Sequence, residues 1–240
     1  MVKRITKVIF VLTGTLTLGI TACTTTQPSQ RSDQDMSPPR LVIKQVETVI
    51  TSFETLPDAL YTADKRDLME DLLGKDASAQ TEAINTIAAA PQEYPPYFFY
   101  MMSDALFDQN KKDEAAFWFY AGQLRSRYDA NRCGNQLQGR NTVDMLNQEY
   151  GTPINQYTFK DVDNLSLIVE RVIAFEKQTP HDYDPKWVFF TPVEGALMPV
   201  DPDITPNTAK CLPQKDWPAM NARTVREYQE GFEQALAMIR

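Results

Sequence analysis

Apolar positions first recur at helical spacing at Ile43, Val46, Ile50 and Phe53, so ordered structure is expected to begin near Leu41. A helix or, on its β-branched content, a strand fits that segment. Further along, the pattern predicts helices over 64–73, ended by Gly74, and over 79–90, stopped by Pro91. Pro95 and Pro96 suit the first turn of another helix. Residues 97–109 then run apolar, 110–113 make a polar turn, and 114–128 run apolar again. That is a helical hairpin with a short connection. Eleven of the chain's 25 aromatic residues fall between Tyr94 and Tyr128, too many for a single stripe. Both faces of these helices must be covered, which puts the hairpin at the heart of the core.

Beyond Cys133 the chain turns polar. A short helix over 141–150 is expected, capped by Gly151 and stopped by Pro153. Leu165, Ile168, Val172 and Phe175 mark an amphipathic helix of about 16 residues. Residues 180–218 hold eight of the 16 prolines and few periodic positions, and so read as a long irregular segment. A last helix over 221–239 shows one face made of Val225, Tyr228, Phe232, Leu236 and Ile239. The fold class is mainly α: one helical domain over 41–240, with a proline-rich irregular segment at 180–218.

The N-terminus has a different character. Lys3, Arg4 and Lys7 precede an apolar run from Val8 to Ile20, and Ile20-Thr21-Ala22-Cys23 closes it with small residues before a cysteine. A membrane-spanning helix needs about 20 apolar residues, and this run is shorter and interrupted by threonines. The tetrapeptide resembles the lipobox of bacterial lipoproteins; an ordinary secretory signal cut elsewhere shares the small residues. The lipoprotein resemblance implies removal of residues 1–22, a lipid on Cys23 and anchorage to a membrane leaflet. Thr24 rather than aspartate after the cysteine implies the outer membrane, with the domain facing the periplasm or the cell surface. Residues 24–40 are polar and rich in Ser, Thr, Gln and Pro, as in a disordered tether.

Charge narrows the partners. The whole chain carries −8; losing Lys3, Arg4 and Lys7 leaves 21 basic against 32 acidic residues, or −11. Such a domain has no electrostatic footprint for nucleic acid, and the lipid rather than the protein surface must hold it to a membrane. Cys133 and Cys211 make an even pair, which in an oxidising compartment favours one disulfide over free thiols. With the lone His181 and no CxxC or HxxxH spacing they make a poor zinc set, and no cofactor is implied.

The hairpin resembles one tetratricopeptide-type unit, carried by Phe99, Met102, Ser103, Leu106, Ala115, Phe119 and Gly122 and by the run DQNKKDEAAFWFYAGQL. Ser103, Ala115 and Gly122 are small where the two helices approach. No proline ends the unit near Arg127, and no second copy follows at a fixed period, so a single hairpin is implied rather than an array. The core DEAAFWFYAGQLR also resembles envelope proteins of Gram-negative bacteria that carry no assigned activity.

Recognisable catalytic motifs are absent: no GxSxG, SxxK, phosphate loop or HExxH occurs. His181 has Asp182 and Asp184 as orienting partners but no nucleophile beside it in sequence. Asp182, Asp184, Glu194, Asp201 and Asp203 cluster on the irregular segment, and a glycosidase needs only two carboxylates. Acids beside prolines are more often solvated turn residues, and Asp201-Pro-Asp203 is too short for a calcium loop. Trp187, Phe189 and Phe190 would either line a ligand groove or pin the loop onto the helices. The expected role is non-catalytic binding of a protein partner through Gln109, Asn110, Lys111, Lys112, Asp113 and Glu114 at the hairpin turn, with Trp187 and Phe189 on the loop. An immunity protein against a periplasm-acting toxin and a carboxylate-dependent cell-wall hydrolase are the alternatives.

Overall fold

The computed structural model describes residues 62–133, 136–193, 196–199 and 210–239; the leader, Cys23, the tether and the expected element at 41–53 lie outside them. Helix α1 spans Ala63–Leu73, and its N-cap Thr62 accepts a hydrogen bond from the Lys65 N–H. Gly74 follows it as predicted, but at φ −68° and ψ 177°, an extended stop rather than a left-handed one. Asp76 caps α2 (Ala77–Ala89) by accepting from the Ser78 and Ala79 N–H groups. Pro91 stops α2 and opens a 3-10 turn, Pro91–Glu93.

Helices α3 (Tyr97–Asp108) and α4 (Lys112–Arg132) form the expected hairpin. Residues 97–103 of α3 and 119–122 of α4 are buried without a break, so both faces of each helix are covered. Helix α4 is the axis of the fold. It packs against α3, α5 (Gln136–Thr158), α6 (Val162–Gln178) and α7 (Trp217–Ile239). At Gly122 an added Cβ would stand 3.0 Å from the Tyr100 ring and 3.3 Å from Phe99 Cβ, so α3 and α4 meet at a distance where any larger residue would have to push Tyr100 or Phe99 aside.

One predicted break is not a break. Helix α5 runs through Gly151 and Pro153 instead of ending there. Gly151 is buried against Phe119, 3.0 Å from where a Cβ would sit, so it serves packing rather than capping. Pro153 removes the N–H that would bond the carbonyl of Glu149, but Glu149 is exposed and water can take that place. Helix α6 matches its predicted face, with Leu165, Ile168 and Val172 buried. Helix α7 starts four residues earlier than predicted, because Pro218 fits its first turn.

The proline-rich segment is also more ordered than expected. It contains a 3-10 turn at Pro185–Phe189, a two-stranded antiparallel hairpin of β1 (Phe190–Val193) and β2 (Ala196–Pro199), and a 3-10 turn at Gln214–Asp216. The strands pair Phe190 with Pro199 and Val193 with Ala196. Cys133 and Cys211 are bonded, closing a loop with a sequence separation of 78 residues. The Leu212 N–H donates to the Arg132 carbonyl at 2.7 Å beside that bond.

Candidate functional site

Asn110 makes the α3–α4 turn possible. Its φ of 62° is left-handed, a conformation asparagine tolerates better than most residues, and it reverses the chain between the helices. The Gln109 N–H donates to the Ala105 carbonyl, Asn110 to Phe107 and Lys111 to Leu106, so three carbonyls of the last turn of α3 are tied. Lys111, Asp113 and Glu114 are exposed at the start of α4, while Lys112 is half-buried. Together with Asn110 and Tyr157 they line a shallow depression of about 400 Å³.

Three helices fix this turn. Asp113 Oδ1 accepts from the Tyr157 hydroxyl of α5 at 2.8 Å and from Asn164 Nδ2 of α6 at 2.9 Å. The hydrogen bond to Asp113, then burial and the Asp113 and Asp161 charges, push the Tyr157 phenol up from its ordinary value. Lys112 Nζ lies over two rings, 5.3 Å from the centre of Phe107 and 5.7 Å from Tyr157. On the other side, Gln109 Nε2 donates to Gln80 Oε1 of α2 at 3.4 Å. The six turn residues named from sequence therefore stand together, and Lys111 and Glu114 project free of these ties.

The loop residues named with them do not join the site. Trp187 is fully buried and Phe189 is 2% exposed, so both sit in the core and pin the loop to the helices instead of lining a groove. Phe190 is buried with them. Asp184 spends Oδ1 on the Lys186 N–H as the cap of a 3-10 turn, and Asp182 is exposed. Glu194, Asp201 and Asp203 lie outside the described residues.

Sequence reading missed a second assembly, a charged network inside the core. Asp129, fully buried on α4, accepts from Arg132 Nε at 2.9 Å on Oδ1, with Nη2 of the same guanidinium 2.7 Å away as an ion pair. Its other oxygen takes the Tyr183 hydroxyl (3.0 Å) and the Trp187 indole N–H (2.7 Å). Arg132 is stacked 4.4 Å from the ring centres of both Tyr128 and Trp217. One turn earlier on α4, fully buried Arg125 donates from Nε to Glu176 Oε2 at 2.9 Å and from Nη2 to the carbonyls of Thr179 and Pro180 at 2.6 Å each. Glu176 Oε1 accepts from Asn221 Nδ2 at 2.6 Å and lies 3.0 Å from His181 Nε2.

Burial alone pushes the Glu176 carboxyl up. The bond and charge of His181, with Arg125 beside it, outweigh burial and hold the carboxyl below the ordinary glutamate value. Each of the four carboxylate oxygens of Asp129 and Glu176 accepts from at least one of these donors. The network is suited to holding α4, α6, α7 and the loop in register. Its signal in the sequence was the spacing of Arg125, Asp129 and Arg132 on a helix expected to be covered on both faces.

Among the described residues no group of three or more His, Cys, Asp or Glu side chains is placed to hold a metal ion. No helix among them is long and apolar enough to cross a membrane. No protein-family model, curated protein or solved structure matches the chain.

Proposed function

We propose that this chain is a lipid-anchored envelope protein of adaptor type, tethered through Cys23 to the outer membrane, which binds a protein partner without acting on it chemically. The observation that carries this reading is the α3–α4 turn, where Asn110 to Glu114, with Tyr157 of α5, line a shallow exposed depression that α5 and α6 brace. A braced turn loses little conformational freedom on binding, so its contacts translate into affinity. Lys111 and Glu114 supply the exposed charges that select a partner, and Asp113 and Lys112 keep their geometry fixed. The likeness of α3–α4 to a tetratricopeptide unit leans the same way, as an analogy of fold.

The test is in-cell crosslinking of the tagged precursor, with the charge reversals Lys111→Glu and Glu114→Lys as controls. One dominant protein captured by the wild type and lost from the reversed variant supports the reading. Capture that survives both reversals, or none at all, removes the turn as the binding surface. Membrane anchorage is tested separately with Cys23→Ser, which is expected to abolish lipid labelling and release the protein from the membrane fraction.

A further inference from the structure

The end of α4 is closed by a strap. Residues Lys210–Asp216 run from the disulfide to the start of α7, and apart from half-buried Cys211 every one of them is exposed. Few interactions tie the strap down. Cys211 is bonded to Cys133, Leu212 donates its N–H to the Arg132 carbonyl at 2.7 Å, and Trp217 Nε1 donates to the Leu212 carbonyl at 2.8 Å. The Trp217 ring then lies on the Arg132 guanidinium, with the Tyr128 hydroxyl donating to the Trp217 carbonyl at 3.3 Å. A segment with little buried apolar surface and solvent-facing backbone belongs to the low-stability end of a structure, where local opening is cheap.

Arg132 itself does not depend on the strap. Asp129 holds the guanidinium from within α4, and Tyr183 and Trp187 hold Asp129 from the other side. The two sulfurs also differ in access. Cys133 is 1% exposed at the end of α4, whereas Cys211 is half-buried on the strap. Cys211 is thus the more open residue of the pair to an incoming thiolate, with Cys133 as the group expelled.

We propose that the Cys133–Cys211 bond is a redox clasp: a dithiol reductant opens it and frees the Lys210–Asp216 strap from the end of α4 while the helical core stays folded. One thiolate of the reductant attacks Cys211 Sγ, and the sulfur–sulfur bond breaks toward Cys133, which takes up a proton. The second thiol of the reductant then displaces Cys211, leaving two protein thiols and an oxidised dithiol. The strap then keeps the Leu212 N–H bond to the Arg132 carbonyl and the Trp217 Nε1 bond to the Leu212 carbonyl, with no covalent tie to α4.

The experiment is hydrogen exchange with mass spectrometry on the purified full chain, oxidised and then reduced with dithiothreitol, with alkylation to confirm both thiols. A Cys133→Ser, Cys211→Ser double variant serves as a permanently open form. The expected result is exchange faster by about tenfold or more across 210–217, a change equivalent to about 1.4 kcal/mol, in both open forms and reversed by reoxidation of the wild type. Amides of α4 and α6 should stay protected, any loss there no larger than the fall in global stability that urea unfolding measures on reduction. Unchanged exchange over 210–217 after complete reduction overturns the proposal, as does loss of protection throughout the helices.

Discussion

Replacing Glu176 by glutamine tests whether the interior network holds the domain together. The carboxylate is 3% exposed and serves donors from Arg125, Asn221 and His181. Glutamine keeps the shape but turns one oxygen into an NH₂ group. That group must face either the Arg125 Nε–H or the Asn221 and His181 donors, so one donor meets another donor. Removing one partner of a buried ion pair costs about 3–5 kcal/mol. Arg125 keeps the carbonyls of Pro91, Thr179 and Pro180, which places the expected loss at the lower end, about 3 kcal/mol. Urea unfolding at neutral pH, followed by circular dichroism, should show the midpoint falling by about 1–3 M. The pH dependence gives a second, independent readout. The folded carboxyl titrates below its unfolded value, so its stabilisation is present above the ordinary glutamate range near 4.3 and is lost as pH falls through the folded value. Wild type and variant should therefore differ most near neutrality and converge only below about pH 4. A loss under about 1 kcal/mol, or a difference that persists unchanged in acid, refutes the assignment of Glu176 as a charged clasp.

Gly122→Ala should destabilise by about 1 kcal/mol in the same urea assay, because overpacking against Tyr100 and Phe99 costs more than the helix propensity gained. Reduction of the oxidised protein should lower its unfolding free energy by about 2–4 kcal/mol, near the 4.5 kcal/mol that chain entropy sets for a loop of this length. Tyrosine ionisation measured by ultraviolet absorbance should be incomplete at high pH. Burial pushes Tyr120 up to about 12, and burial raises Tyr183, with the Asp129 charge adding to it. The stability contributed by these raised groups is full below about pH 10 and lost as pH climbs through their folded values, so late ionisation should coincide with unfolding. Simple titration of all ten tyrosines near pH 10 would mean the phenols are not buried as described.

Periodicity located most of the helices, since α1, α2, α3, α6 and α7 each show one clear stripe or a capping residue. It failed where a residue's role depended on a distant neighbour. Gly151 and Pro153 look like a helix end, yet Phe119 on another helix needs the first to be small, and solvent at Glu149 tolerates the second. The hairpin turn was legible because polarity at 109–114 interrupts two apolar runs. Its bracing by Tyr157 and Asn164 was not, because both partners come from more than 40 residues away. The interior charges were hidden for the same reason. Arg125 and Asp129 look like surface residues until Glu176, Tyr183 and Trp187 are brought against them.

That separation has a consequence for the order in which the chain assembles as it emerges from its N-terminal end. When α3 and α4 are complete, Arg125 and Asp129 still lack partners that lie 51 to 58 residues downstream. A hairpin that collapsed alone would strand the Arg125 guanidinium without Glu176, and Asp129 without its Tyr183 and Trp187 donors, away from water, which is expensive. Compaction around α4 is therefore expected to wait for the α6 end and the loop that carries Tyr183 and Trp187, which bring Glu176 to Arg125 and complete the hydrogen bonds of Asp129. Premature compaction is discouraged, and the domain gains an all-or-none transition that a stack of self-sufficient repeats would lack.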